Sequence, residues 1–208
     1  MASVELPEPA VDGSTSVERA IATRRSRRSF ARTPIEIEDV SQLLWAAQGR
    51  THERDGVEMR AAPSAGATYP LTVFLEVAPG GSGQLAPGLY RYEPERHGLE
   101  TTLETAIHDE FAAASSGQAV VDAAPVTVVL TADYDRTRRQ YPAHGERYVH
   151  MEAGHVAENV HLVCEARGLN TCPVGAFSER ALADALSLPG RLAPLYLLPV
   201  GRRPSLTG

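Results

Sequence analysis

The sequence of 208 residues contains no lysine, so all 20 of its basic residues are arginines. A pyridoxal Schiff base, a class I aldolase Schiff base and a P-loop each require a lysine amine, and this chain cannot supply one. Arginine is always charged and binds phosphate through two parallel hydrogen bonds. An anionic ligand would therefore be held by arginines or by backbone amides.

Cysteines and long apolar runs are also scarce. The two cysteines, Cys164 and Cys172, make neither a disulfide framework nor a zinc quartet, which indicates free thiols in a reducing compartment. No stretch approaches the roughly 18 apolar residues of a membrane-spanning helix. Residues 1–13 lack the basic start and the apolar run of a signal peptide. We therefore expect a soluble cytoplasmic protein.

Basic residues are outnumbered by acidic ones, 20 against 26, which gives a net charge of -6 at pH 7. A negative surface argues against binding to nucleic acid or to anionic membranes. No metal site is expected either, because His150, His155 and His161 are separated by five and six residues and do not share one helix face. A small molecule is the expected ligand.

Length and patterning predict one folded domain, since domains contain roughly 150 residues. We assign residues 1–13 to a flexible N-terminal arm and residues 14–208 to the domain. Helical periodicity and β-branched runs predict the secondary structure. The predicted helices cover residues 16–23, 37–47, 105–116, 147–167 and 179–188, and the predicted strands cover residues 71–77, 88–93, 124–131 and 195–200. This order predicts an α+β fold with a central mixed or antiparallel sheet flanked by helices.

The remaining segments read as loops. Residues 50–60 are polar, and residues 61–70 are small and bounded by proline. Gly49 and Gly168 follow predicted helices, and we expect a left-handed glycine to end each helix there.

An arginine cluster follows the first predicted helix. Arg24, Arg25, Arg27 and Arg28 surround Ser26. One interpretation is a solvated helix end whose cations complement the helix dipole. The other is a phosphate clamp, in which guanidinium groups and the serine hydroxyl bind an anion.

Two further segments have small residues at positions where a ligand can approach the backbone. In the run from Pro63 to Pro70, Gly66 permits close approach and Ser64 can hydrogen-bond to a ligand edge. The run from Cys172 to Phe177 could present the amide of Val174 or Gly175. Each segment alone is equally typical of an ordinary turn.

Together these segments resemble the FMN-dependent nitroreductase superfamily, and most closely its SagB-type dehydrogenase branch. Family members contain similar motifs in the same order at about these separations. The motifs here are Arg24-Arg25-Ser26-Arg27-Arg28, the run from Pro63 to Pro70, Val174-Gly175-Ala176-Phe177 and Pro199-Val200-Gly201-Arg202. The resemblance covers roughly residues 16–203 and implies a nitroreductase-like fold that binds FMN.

The resemblance implies a role for the arginines. Arg24, Arg25 and Ser26 would contact the FMN phosphate, and Arg202 or Arg203 would close its other side. Arg28 would lie near the N1/O2 edge of the isoalloxazine, where a fixed cation stabilises the anionic reduced flavin.

The same resemblance assigns the two small-residue segments to the ring system. Pro63, Ser64, Ala65 and Gly66 would line its pyrimidine or ribityl side from the partner subunit. Pro173, Val174 and Gly175 would border flavin N5, with the Val174 amide pointing at that atom and Gly175 allowing close approach.

The resemblance also implies a homodimer whose FMN sites lie at the interface. The predicted helix over residues 147–167 is long and carries an apolar stripe, so it suits the core of such a dimer. The same stripe would equally suit the central helix of a monomer.

The expected function is that of an FMN-dependent oxidoreductase working in a ping-pong cycle. Hydride would pass through flavin N5 from a donor such as NAD(P)H, or from an organic substrate, to an acceptor. The alternative is a flavin-binding protein or a partner-dependent subunit without turnover of its own.

Two departures from the family pattern affect this interpretation. Ala67 and Tyr69 occupy positions where many nitroreductases have asparagine and glutamine, and Tyr69 is the candidate catalytic residue as a substrate contact or proton relay. Azoline-oxidising members of the SagB branch are associated with a lysine-tyrosine pair. Because lysine is absent here, thiazole or oxazole formation is not expected.

Overall fold

The centre of the computed structural model is a seven-stranded sheet. The structure describes residues 2–205, so Met1 of the predicted arm and residues 206–208 of the predicted domain lie outside the described part. Within it the strands are β1 (Ser3–Glu5), β2 (Arg50–Arg54), β3 (Val57–Arg60), β4 (Leu71–Val77), β5 (Gly88–Glu93), β6 (Gly98–Leu103), β7 (Val126–Ala132), β8 (Leu169–Thr171) and β9 (Ala193–Arg202). The large sheet has the order β1-β6-β5-β4-β7-β9-β8, and β2 pairs with β3 in a separate hairpin.

Helices cover both faces of this sheet. They are α1 (Val17–Thr23), α2 (Ile37–Gln48), α3 (His108–Ala114), α4 (Ala119–Asp122), α5 (Tyr134–Arg138), α6 (Gly145–Ala166) and α7 (Glu179–Ala185). Each named strand pair is antiparallel. The predicted α+β fold is therefore confirmed, with an antiparallel rather than a mixed sheet.

Strand β7 separates two hydrophobic cores because successive side chains of a strand point to opposite faces. Val126, Val128 and Leu130 belong to the core shared with α2 and α6. Val129 belongs to the second core, under α3, α4 and α7. Every residue of β7 is buried.

Helix α6 is the longest element, with 22 residues. Val149, Val156 and Val160 are fully buried against the sheet and α2. Burial of an aliphatic side chain contributes about 1.5–3 kcal/mol, so this stripe fixes α6 firmly. The opposite side of the helix is exposed at Gly154 and His155.

Two strand pairings correct the sequence predictions. Residues 50–60 form the β2–β3 hairpin rather than a loop, and its turn places Asp55 at φ 54° and Gly56 at φ 76°. The dipeptide Asp-Gly readily adopts positive φ and is a strong hairpin signal, so the sequence did contain a signal for this turn. Strand β6 was not predicted either, although it pairs with β5 along its length.

The N-terminal segment is more structured than the predicted flexible arm. Strand β1 extends the sheet by pairing with β6, and Leu6 is buried. The Ala10 backbone and the Gln42 side chain exchange two hydrogen bonds of 2.9 and 3.0 Å.

One of the two predicted helix-ending glycines is left-handed and the other is not. Gly168 has φ 69°, as predicted, whereas Gly49 at the end of α2 has φ -63°.

The two thiols lie in different cores. Cys164 is buried in the core between α6 and the sheet, and Cys172 in the core under α3 and α7. Both are free, as predicted. Among residues 2–205, no helix is long and apolar enough to cross a membrane.

A buried ion pair joins the sheet to α3. Glu76 of β4 is fully buried, and its Oε1 lies 3.1 Å from His108 Nδ1. His108 Nε2 lies 2.9 Å from the Asp122 carbonyl oxygen. The hydrogen bond to Glu76 raises the pKa of His108 to about 9. A protonated His108 therefore balances the buried carboxylate.

We expect His108→Gln to destabilise the fold by about 3 kcal/mol or more near pH 6, because it leaves a buried carboxylate unpaired. The contribution of protonated His108 is complete below about pH 6.5 and falls as the pH rises through about 9. Urea unfolding across this range should show the wild-type advantage shrinking with pH. The double variant Glu76→Gln/His108→Gln should recover much of the loss, and a single variant as stable as wild type near pH 6 would contradict the ion pair.

Candidate active site

Helix α6 contacts two of the three motif segments singled out in the sequence and borders a cavity with the third. Near its C-terminal half, Glu158 lies 3.8 Å from the Arg24 side chain, and His161 Nε2 lies 3.3 Å from the Arg25 carbonyl oxygen. Near its N-terminal half, Gly154 lines a cavity together with Gly175. The helix therefore links the arginine cluster to the turn after β8.

The arginine cluster divides into structural and exposed members. Arg27 pairs with Glu165 at 2.5 Å and donates its backbone N–H to Thr171 O, so it ties the segment to the core. Ser26 and Arg28 are exposed, and Arg24 is only partly buried. Arg25 Nη1 donates to the carbonyl oxygen of Arg24 at 2.7 Å. The exposed groups are the ones available to an anion.

The arginines Arg202 and Arg203 form ion pairs with different carboxylates. Arg203 Nη2 lies 2.7 Å from Glu165 Oε2, the carboxylate that also holds Arg27, so Arg203 lies beside the arginine cluster. Arg202 Nη2 lies 3.0 Å from Asp39, whose other oxygen binds Arg167. Arg202 thus belongs to a separate ion-pair group. Of the two arginines, Arg203 is the one that shares a carboxylate partner with the arginine cluster.

The loop from Pro63 to Pro70 is fixed by internal hydrogen bonds. Ser64 Oγ accepts the backbone N–H of Tyr69 at 2.9 Å. Gly66 has φ 58°, and a Cβ at this position would collide with the side chains of Gln140 and Tyr141. Pro63 and Gly66 are exposed, while Ser64 and Ala65 are partly buried.

This loop contacts a different side of α6 from the arginine cluster. Ser64 is close enough to Glu152 to lower the pKa of that carboxyl. Just before the loop, the carbonyl oxygen of Ala61 accepts a hydrogen bond from Asn159 Nδ2. Glu152 and Asn159 are seven residues apart and share one face of the helix. Gly154 lies about 160° around the helix from Glu152. Within one chain, Ser64 therefore does not face Gly175.

The turn after β8 pairs one of the two amides that the sequence offered as ligand contacts. Val174 donates its backbone N–H to Leu197 O at 2.8 Å and accepts from Leu197 N at 3.0 Å. Its amide is therefore already paired within the chain, which argues against its predicted role. Within residues 2–205 the next amide, that of Gly175, makes no hydrogen bond. A Cβ at Gly175 would meet only Tyr196 at 3.8 Å, so the space beside this amide is open.

A cavity of about 380 Å³ adjoins Gly175. Its other lining residues come from α5, α6, α7, β9 and the turn, and they are Tyr134, His150, Ala153, Gly154, Phe177, Glu179, Pro194, Leu195 and Tyr196. Tyr134 Oη lies 2.7 Å from His150 Nε2. Sequence reasoning missed this pair because it weighed His150 only as a metal ligand. No group of three possible metal-binding side chains occurs in the described chain.

Glu152 is a second group that the sequence did not single out. It is buried, and Gln48 Nε2 donates to its Oε1 at 3.2 Å. Burial raises the pKa of Glu152 to about 7, although hydrogen bonds from Ser64 and Gln48 and the charge of Arg60 oppose the rise. The carboxyl therefore changes its charge near neutral pH beside the Ser64 loop.

Tyr69 does not have the surroundings of a proton relay. It is buried, and its hydroxyl accepts the backbone N–H of Arg60 at 3.1 Å. The Arg60 guanidinium lies 4.6 Å from the centre of its ring. These contacts make Tyr69 an anchor for β3, which argues against the predicted catalytic role.

Comparisons with known proteins agree with this fold. A model described as the nitroreductase family matches residues 21–202. The nitroreductase homologue MJ1384 of Methanocaldococcus jannaschii is 39% identical over 187 residues, which are 90% of this chain and 91% of that protein. A nitroreductase homologue from Ralstonia eutropha JMP134 superposes with a TM-score of 0.83 at 30% identity, covering 98% of this chain and 90% of that one. The NADPH:FMN oxidoreductase of Vibrio harveyi, solved with NAD+, gives a TM-score of 0.62 at 20% identity, covering 89% and 68%.

Glu152→Gln should change how stability depends on pH. The raised pKa means that the folded state binds more protons than the unfolded state between about pH 4.5 and 7, so wild-type stability falls as the pH rises across this range. Glutamine keeps an acceptor for Gln48 but does not titrate. We expect the stability of the variant relative to wild type to increase by up to about 3 kcal/mol between about pH 5 and 8.

The measurement is urea unfolding at several pH values, with Glu158→Gln as the matched control. Glu158 is exposed on the same helix. Its substitution should leave the pH dependence nearly unchanged. Parallel pH curves for Glu152→Gln and wild type would contradict a perturbed carboxyl at this position.

Proposed function

The chain belongs to the nitroreductase family, and we propose that it is an FMN-dependent oxidoreductase that passes hydride from a donor to an acceptor in a ping-pong cycle. One observation carries the proposal. Exposed arginines and a backbone amide without a hydrogen bond, that of Gly175, lie along the same side of α6. These are the groups that an anionic phosphate and the polar edge of a flat ring require.

The spacing of these groups suits FMN. Gly154, beside the Gly175 cavity, and His161, beside Arg25, are seven residues apart on one face of α6. At 1.5 Å per residue this is about 10 Å along the helix, a distance that an extended ribityl phosphate can bridge. The residues present therefore fit the cofactor.

Each group would have a defined role. Arg24, Arg25 and Ser26 would bind the phosphate, with Arg203 beside them. Arg28, which is exposed, would stabilise negative charge on the pyrimidine edge of the ring. The Gly175 amide would donate to N5. The bound flavin would supply the hydride chemistry, and these residues would position it.

A second copy of the chain would complete the site. Ser64 lies beside Glu152, about 160° around α6 from Gly154, so a single chain would not supply the segment Pro63, Ser64, Ala65 and Gly66 to the same ring. The exposed side of α6 at Gly154 and His155, with Met151 52% exposed, is available for a partner. We therefore propose a homodimer with α6 at its core and one site on each side.

A nicotinamide is the proposed electron donor. The Vibrio harveyi structure with a similar fold contains NAD+ and is named an NADPH:FMN oxidoreductase. The cavity of about 380 Å³ beside Gly175 is large enough for the planar end of a donor or an acceptor. A ping-pong cycle would let both use this space in turn.

The alternative proposal is a SagB-type protein that oxidises an organic substrate, or a flavin-binding subunit that depends on a partner. Supporting this alternative, the sequence motifs resemble the SagB branch most closely. Opposing azoline oxidation, the chain has no lysine for the associated lysine-tyrosine pair. Reduction by nicotinamide separates the two proposals.

Purified protein reconstituted with FMN should be yellow, with flavin absorbance between about 350 and 500 nm. Anaerobic NADH or NADPH should bleach it if the protein is a nicotinamide-dependent reductase. Colour that persists would favour an organic-substrate oxidase or a binding subunit. Protein that does not take up FMN would overturn both proposals.

Arg24→Ala/Arg28→Ala should weaken FMN binding by at least about tenfold, because charge-assisted hydrogen bonds contribute roughly 1.5–3 kcal/mol each. The measurement is fluorescence titration of apoprotein with FMN. The matched control is Arg54→Ala/Arg96→Ala, which removes two exposed arginines from hairpins. Unchanged FMN affinity in Arg24→Ala/Arg28→Ala would support the other interpretation of the cluster, a solvated helix end.

A further inference from the structure

The hydrogen-bonded pair Tyr134–His150 is the only side-chain hydrogen bond described between two residues that line the Gly175 cavity. Tyr134 begins α5, and His150 lies on the first half of α6. Their rings meet edge to face with centroids 5.6 Å apart. Two packed elements therefore fix the phenol at the cavity wall.

Burial and nearby carboxylates raise the pKa of the Tyr134 phenol, which is protonated at neutral pH. Burial raises the pKa of Tyr134, and the carboxylates of Glu146 and Glu179 raise it further. Arg138 opposes them, with its guanidinium 5.1 Å from the ring centre. Arg138 is itself bound to Glu146 at 2.9 Å. Tyr134 is therefore present as the neutral phenol, which has a proton to donate.

We propose that Tyr134 is a catalytic residue that donates a proton to the acceptor substrate, and that His150 returns a proton to it from solvent. The proposal rests on the proposed FMN oxidoreductase function. When the imidazole Nε2–H donates to the phenol oxygen, the phenol hydrogen is free to point into the cavity. His150 is exposed, so it can exchange protons with water.

We propose a nitroarene as the probe acceptor. Its reduction requires the proton that Tyr134 would donate. A bound reduced flavin would supply two electrons and one proton as hydride, and Tyr134 would supply the second proton. One N–O bond of the nitro group breaks, its oxygen leaves as water, and a nitroso compound forms. The phenolate then recovers its proton through His150. Proton donation in the transition state typically accelerates such a step by about 10²–10⁴-fold.

The chain provides a matched control. Tyr196 lines the same cavity, and it is not part of the Tyr134–His150 hydrogen bond. Tyr196→Phe therefore removes an equal hydroxyl from the same cavity without breaking a relay. His150→Gln keeps a polar side chain but cannot carry a proton between solvent and the phenol.

The experiment compares two acceptors that reoxidise the same reduced protein. Wild type, Tyr134→Phe, Tyr196→Phe and His150→Gln are loaded with FMN, reduced anaerobically with NADH or dithionite, and mixed with 4-nitrobenzoate or with ferricyanide. Ferricyanide accepts single electrons and needs no proton. We expect Tyr134→Phe to slow the reaction with 4-nitrobenzoate by about 100-fold, to leave the ferricyanide reaction within about twofold of wild type and to leave FMN affinity unchanged.

A second measurement does not use turnover. In apoprotein labelled with ¹⁵N-histidine, the Nε2 resonance of His150 should lose its hydrogen-bonded chemical shift in Tyr134→Phe and keep it in Tyr196→Phe. This result would support the observed pairing in solution. An unchanged resonance in Tyr134→Phe would overturn the relay.

Some of the remaining outcomes would overturn the relay alone, and one would also overturn the proposed function. Equal slowing with both acceptors, or an equal effect of Tyr196→Phe, would assign Tyr134 a structural role and overturn the relay alone. A Tyr134→Phe protein as fast as wild type with 4-nitrobenzoate would do the same. Wild-type protein that fails to bind FMN would overturn the proposed function and the relay with it.

Discussion

The burial of one stripe of α6 against the sheet determines where every candidate site segment lies. Val149, Val156 and Val160 are fully buried, so the rotation of the helix about its axis is fixed. That rotation places Gly154 and His161 on one side and Glu152 and Asn159 on the other. The arginine cluster attaches to the first side and the Ser64 loop lies beside the second, and the proposal that two copies build one site is based on this division.

Local signals predicted the parts of the fold that bury continuous apolar sequence. The strands over β4 and β7 and the helix α6 were predictable because their hydrophobic residues recur at the period of the structure that they form. The β2–β3 hairpin was not predicted, because all of β2 is exposed and carries no apolar alternation. Strand β1 is only three residues long and depends on pairing with distant β6, which local sequence does not reveal.

The sequence motifs could name the segments of the candidate site but not the atoms that each segment leaves free. The motifs identified the arginine cluster and the two small-residue turns, and α6 links the cluster to the Gly175 turn. Sequence could not decide which amide of the turn is free, because that depends on Val174 pairing with Leu197 of another strand. Likewise, Tyr134 and His150 lie 16 residues apart and meet only after α5 packs on α6. Tertiary pairing, rather than local pattern, sets both.

The placement of the two thiols has a practical consequence. Cys164 is 1% exposed and Cys172 is 4% exposed, and they lie on opposite faces of the same sheet. Alkylating reagents therefore reach each sulfur only when the layer covering it opens. The rates at which the two sulfurs are alkylated would report separately on the opening of the α2/α6 layer and of the α3/α7 layer. The native chain thus carries its own pair of local-unfolding probes, with no engineered label.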